Sequence, residues 1–470
     1  MLFCSNVFLF AFLPIVLLLY FILPRAARNF TLLISSLIFY FYGEAWQLWI
    51  LISICLYNYV AARVIVSFPK YGKLLLSAFI FINLLMLIYY KYFNFITSTL
   101  VPDVLGIFGI NARALSGEEI VLPIGISFFT FHAISYLVDI SLRKVKPSQS
   151  PIDFGMYFVF FAHLIAGPIV RYSEVEGQIR SRIITANSFS RGIYRFSLGL
   201  GKKIIIADSL STITNRIYGT PFDEISTSLA WLAIVVYSFQ IYFDFSGYTD
   251  MGIGLAKIFG FDFPENFEQP YRAQSVTEFW RRWHMTLSRW FRDYLYIPLG
   301  GNQSGLLRTC INLLLVFFLC GLWHGASYTF IVWGIYYGVL LSMERVLLSY
   351  YRVRIKGAPG MVATFFLVTL GWVFFRSPNL EFAFKLLTIM FNPTGVNPYL
   401  TSSYYLTNDK IFTLAIAFIF SFISFDTVSS KLESMDSEPL IKAVISIPII
   451  LYSIILIAMN GFKPFIYFQF

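Results

Sequence analysis

The chain has 470 residues, of which 58% are hydrophobic and 13% charged, with a formal net charge of +10. Soluble domains carry about 25% charged residues, so apolar side chains at this density cannot all fit inside a water-soluble core and must face a bilayer. Basic charge on a soluble protein would point to nucleic acid. In a chain this apolar it marks cytoplasmic loops and contact with anionic lipid instead, so the expected partner is membrane lipid and not nucleic acid.

The N-terminal stretch MLFCSNVFLFAFLPIVLLLYFILPRAAR lacks both a basic leading region and a small-residue cleavage site, and it reads as a retained first span. Crossing a bilayer takes about 17–25 apolar residues. Residues 6–23, 46–66, 73–96, 121–140 and 229–248 meet that length or come close, as do 309–323, 327–346, 361–375, 411–425 and 441–459. Segment 30–42 is shorter and crosses at a tilt, and 154–170, 193–206 and 382–391 are ambiguous. The expectation is an all-α polytopic membrane protein with about eleven to thirteen membrane segments. Nothing resembling a linker divides it, so residues 1–470 read as one domain. There is no internal repeat, which argues against transporter folds built from duplicated halves. Cys4, Cys55, Cys310 and Cys320 form no C-x-x-C pair and read as buried thiols.

Basic residues set the expected orientation. Arg25 and Arg28 follow the first span, and Arg63, Lys70 and Lys73 follow the third. The loop 97–120 holds Asp103, Glu118 and Glu119 against Arg113. The positive-inside rule then puts the N-terminus and this loop in the periplasm. Both flanks of 154–170 are basic, with Arg143, Lys144 and Lys146 before it and Arg171, Arg180 and Arg182 after it. That segment should therefore re-enter the membrane rather than cross it, with its break expected at Gly167-Pro168 in HLIAGPIVR.

Residues 277–295, TEFWRRWHMTLSRWFRDYL, read as one amphipathic helix at the cytoplasmic interface. At the helical period Arg281, Arg282, Arg289 and Arg292 fall within about 100° of arc. The face opposite carries Trp280, Trp283, Leu287, Trp290, Phe291 and Tyr294, expected in the acyl boundary. An arginine face of this kind either anchors the helix to lipid or binds the phosphates of a CoA-like donor.

Histidine in an apolar span is costly unless it is used or satisfied. His324, in FFLCGLWHGASYTFIVWG, has small neighbours Gly321, Gly325 and Ala326 that let a second backbone or a thin chain approach. It is either a working base or a hydrogen-bonding link between helices. His284 stands at the edge of the aromatic arc of the interfacial helix, while His132 and His163 read as structural. No two histidines have metal-ligand spacing, so no metal is expected. Asp244 and Asp250, in QIYFDFSGYTDMGIG, mark a polar cavity or buried ion pairs. A near-neutral base inside a membrane, a second histidine and an arginine face are parts that acyl transfer to a hydroxyl requires.

Six blocks resemble the membrane-bound O-acyltransferase family, and in particular its bacterial, alginate-acetylating branch: LPIGISFFTFHAISYLVDI, HLIAGPIVRYSE, QIYFDFSGYTDMGIGLAKIFGFDFPENFEQPY, EFWRRWHMTLSRWFRDYLYIPLGGN, GLWHGASYTFIVWG and the opening FCSNVFLFAFLPIVLLLYF. The resemblance covers nearly the whole chain. It implies His324 as the catalytic histidine, His284 as a second active-site histidine, and a periplasmic funnel meeting a cytoplasmic tunnel. The expected activity is acetyl transfer in the bacterial inner membrane, with acetyl-CoA as donor and no bound cofactor. The acceptor is a hydroxyl of an alginate-type exopolysaccharide, reached through a periplasmic esterase-like partner. Arg281, Arg282, Arg289, Asp244 and Arg171 are the expected substrate contacts. Peptidoglycan or cellulose acetylation, a lipid acyltransferase, and a transporter or flippase are the alternative readings.

Overall fold

The computed structural model describes residues 1–110, 119–353, 355–392, 401–424, 438–461 and 465. Arg113 and Glu118 of the acidic loop and Phe425 at the end of the 411–425 segment lie outside them. Every regular element among the described residues is a helix. Seven helical runs among them are long and apolar enough to cross a membrane: Arg25–Ser67, Pro69–Ile107, Thr227–Ile258, Leu306–His324, Tyr328–Tyr350, Gly357–Arg376 and Glu438–Met459. The first contains two of the expected segments, because the chain turns at Ala45, whose φ is +28°. Phe8–Ile22 and Ile126–Ser141 are shorter apolar helices.

The chain forms two compact units. The first comprises Met1–Ile184 with Phe259–Phe263. In it the basic-flanked segment is broken twice. The helix Pro151–Val159 ends at Phe160, whose ψ is 118°, and the short helix Phe161–Leu164 ends just ahead of the expected break at Gly167-Pro168. Every residue from 154 to 170 is buried, which is what lets a non-helical backbone persist in an apolar layer. The Phe161 N–H freed by the break donates to Ser36 Oγ at 3.1 Å. His132 and His163 lie side by side here, ring centres 4.7 Å apart, and His163 Nε2 is 2.8 Å from the Tyr157 carbonyl oxygen.

The second unit comprises Thr185–Ile258 and Pro264–Phe470. Its axis is the 32-residue helix Thr227–Ile258, buried on nearly all sides. Helix Ala186–Gly201 crosses it where glycines meet: a Cβ on Gly254 would stand 2.7 Å from the Gly192 carbonyl oxygen. Backbones this close leave no room for any side chain at the crossing. Ion pairs tie the same helices. Asp250 pairs with Arg195 and with Lys202, each at 2.6 Å, and Asp244 pairs with Lys203 at 2.7 Å. A buried pair adds little net stability, but removing one partner strands the other charge at a cost of about 3–5 kcal/mol.

Candidate active site

His324 is the last residue of helix Leu306–His324. That helix packs on Tyr328–Tyr350 through Gly321 and Gly334, where a Cβ on either would run into the backbone of the other helix, at the carbonyl oxygens of Phe330 and Phe317. At Gly325 a Cβ would enter the Phe330 ring. The three small residues thus bring the end of the first helix against the start of the second and bury His324, which is 5% exposed. Its imidazole sits among aromatic rings, with Trp323 and Trp333 each at 4.9 Å between centres and Phe375 at 5.4 Å.

The 277–295 segment is not one interfacial helix. It is the helix Val276–Arg282 and the helix Met285–Phe291 running on into the π-helical turn Arg292–Tyr296, broken at His284, which takes left-handed backbone angles (φ 43°, ψ 54°). The cause is the irregular stretch 264–269, which bonds to both sides of the break. Its Glu268 N–H donates to the Arg282 carbonyl at 3.0 Å, and the Met285 N–H donates to the Asn266 carbonyl at 2.9 Å. Those bonds replace helical ones that the break removes. The aromatic face does not sit in the acyl boundary either. Trp280 packs on Trp333 and Tyr337 at 5.6 and 5.0 Å, and Trp283 on Trp372 at 4.9 Å, all within the protein.

The break turns His284 inward, so that it is fully buried. Its Nδ1 is 3.0 Å from Oδ1 of Asn266, itself buried, and Phe245 lies edge-on at 4.7 Å. Burial pushes the imidazole down to about 3, so it is neutral at physiological pH. Trp323 connects the two histidines: its ring is 6.0 Å from His284 and 4.9 Å from His324.

A cavity of about 1170 Å³ lies in the same unit and reaches Met285, next to His284, and Cys320, one turn before His324, without being lined by either histidine. Thr309, Leu313, Val316 and Cys320 line it from helix Leu306–His324. These positions form one face of that helix, and the next residue on the same face, one turn on, is His324. Arg281, Arg289 and Arg292 line the cavity, together with Arg345 and Lys356, with the Arg292 guanidinium paired to Asp293 at 2.6 Å. Arg282 does not share their role. Its guanidinium is held by Glu278 at 2.9 Å and by the Glu268 carbonyl at 3.1 Å. The break at His284 explains the difference, because a straight helix would have aligned all four.

Asp244 does not line the cavity and sits in its buried pair with Lys203. Arg171 belongs to the first unit, where it caps helix Tyr172–Arg180 and its backbone N–H donates to the Glu174 carboxylate at 2.9 Å. Local pattern does not mark Asn266, because its contact with His284 bridges 18 residues that include helix Val276–Arg282. Nor does it mark Trp323 and Trp333, which stand in apolar runs.

Residues 36–380 match the membrane-bound O-acyltransferase family. The chain is similar to a probable alginate O-acetylase of Pseudomonas aeruginosa, 41% identical over 83% of this chain and 75% of the relative. It is similar to a peptidoglycan O-acetyltransferase of Helicobacter pylori, 37% identical over 84% of this chain and 81% of the relative. A teichoic acid D-alanyltransferase of Bacillus subtilis is 30% identical over 48% of this chain and 59% of that protein.

Proposed function

The chain belongs to the membrane-bound O-acyltransferase family, and on that premise we propose that it takes acetyl from cytoplasmic acetyl-CoA across the bacterial inner membrane to a periplasmic polysaccharide hydroxyl. The observation that carries this reading is the cavity. Its guanidinium groups suit the phosphates of a CoA thioester, since Arg grips phosphate through a planar fork. Its lining on helix Leu306–His324 runs from Thr309 to Cys320, one helical turn short of His324.

In the proposed reaction the acceptor oxygen attacks the thioester carbonyl carbon. A C–O bond forms, the C–S bond breaks, and His324 accepts the hydroxyl proton and returns it to the departing thiolate. His284 assists beside it. The hydroxyl belongs to the polymer itself or to a serine of a periplasmic esterase-like partner that passes the acetyl group on. An alginate-type polymer is the favoured acceptor because the alginate relative is 41% identical over most of both chains. The peptidoglycan relative supports the same chemistry on another glycan.

Purified protein in lipid discs tests the reading through thiol release from acetyl-CoA. Release that rises with added glycan acceptor is expected; a transporter or flippase releases no thiol. The apolar cavity wall gives one reason to consider a lipid acyltransferase. Faster release from long-chain acyl-CoA than from acetyl-CoA would favour that enzyme.

A further inference from the structure

Asn266 Oδ1 collects three neighbours. The Thr286 backbone N–H lies 3.2 Å from it, the Thr286 hydroxyl 2.8 Å and His284 Nδ1 3.0 Å. A backbone N–H can only donate, so the atom it meets is the amide oxygen, and the orientation of the Asn266 side chain follows. An amide oxygen can only accept. The neutral imidazole beside it must therefore carry its proton on Nδ1 and its lone pair on Nε2. That Nε2 is buried and has no hydrogen-bond partner among the described residues. A buried acceptor left open is costly and calls for an explanation.

We propose that Asn266 is a positioning residue that locks His284 in the Nδ1–H tautomer, leaving Nε2 as the hydrogen-bond acceptor for a second hydroxyl of the acceptor, beside the one whose proton His324 takes. The geometry gives the lock three supports. The left-handed backbone at His284 fixes the direction of its Cα–Cβ bond. Met285 N–H on the Asn266 carbonyl ties the two segments through the main chain. Phe245, edge-on at 4.7 Å, limits rotation of the imidazole. Without the Asn266 oxygen the two tautomers compete, and in the Nε2–H form the ring presents a donor where the hydroxyl also needs to donate. The inference rests on the reading of His284 as part of the acyl-transfer centre.

The test is Asn266→Asp, which keeps the shape and the accepting oxygen but adds a negative charge beside Nδ1. The carboxylate makes the pair bind one more proton, and that proton must leave before Nε2 can accept. Thiol release from acetyl-CoA is measured against pH for full-length protein in lipid discs, with folding followed by chromatographic elution. The acid limb of kcat should move to higher pH by about one unit or more, with activity recovering above it. A profile that superimposes on wild type after scaling, or a folded variant inactive at every pH, overturns the proposal. If the aspartate variant does not fold, Asn266→Ala decides. A fall in kcat of about tenfold or more at unchanged donor KM supports the lock, and a kcat near wild type, or a loss carried by KM, overturns it. His284→Ala separates the two levels. Full activity in that variant removes the role of His284 itself, whereas an inactive His284→Ala with an unshifted Asn266→Asp removes the lock alone.

Discussion

The Nδ1 atom of His284 stands 3.0 Å from Oδ1 of Asn266, a residue on an irregular stretch of chain that bonds across the gap between two short helices. The same stretch supplies the backbone bonds that keep the gap open. A segment with an unbroken helical pattern is thereby divided, and a histidine that would have lain along an interface is turned into the protein. The arginines divide with it, Arg281 and Arg289 to the cavity and Arg282 to its carboxylates.

That division makes the arginines separable by experiment. Arg289→Lys keeps the charge and loses the planar fork. The account expects the KM for acetyl-CoA to rise about fivefold to tenfold, at constant membrane content and near-constant kcat. Arg282→Lys should leave the donor KM unchanged. Equal effects at the two positions, measured by steady-state thiol release, would return the stripe to lipid anchoring.

The small residues before and after His324 carry a structural prediction. Gly321→Ala places a methyl group against the Phe330 carbonyl and the backbone of Gly334. Overpacking of this kind costs about 1–3 kcal/mol, so the variant should show a lower melting temperature in detergent and a reduced yield of monodisperse protein. Gly357→Ala is a poor control because its φ is +69°. Gly177→Ala, which meets nothing within 4 Å, should be neutral.

The cavity predicts where the donor can be blocked. Cys320 lines it one helical turn before His324 and is buried. Cys320→Phe fills that end of the cavity, and acetyl-CoA turnover should fall by about a hundredfold or more, while Cys320→Ala should remain active. Both variants are compared by thiol release at saturating donor. A fully active phenylalanine variant would place the reacting thioester elsewhere.

Orientation has its own check. A cysteine at position 108, within the acidic loop, should react with an impermeant thiol reagent added to spheroplasts. One at position 292 should react only after the membrane is opened. Phe108 is 74% exposed and the Arg292 side chain 58%, so accessibility does not favour either site. The reverse labelling pattern would invert the protein in the membrane.

Much of this was legible in the residues. Apolar runs of bilayer length located the long helices, because hydropathy reads a solvent effect that needs no tertiary context. The basic flanks of 154–170 exposed the broken segment, and the small residues about His324 signalled the close crossing at Gly321 and Gly334. What local pattern could not supply was the break at His284. Heptad-like spacing in 277–295 satisfies a helix at every position, and the bonds that interrupt it come from Asn266 and Glu268. The additional break of 154–170 at Phe160 has a similar reason: Ser36, far back in the chain, receives the freed N–H there. Proline and glycine mark where a helix can end, but distant partners decide where it does.

The central claim is that His324, at the end of the apolar stripe, performs the proton transfer of acyl transfer. The direct measurement is ester-linked acetate on the extracellular polymer of cells whose own copy is replaced by His324→Ala, alongside membrane content of the variant. The account predicts wild-type amounts of protein in the membrane and no acetate on the polymer. Wild-type acetate with His324 replaced would contradict it.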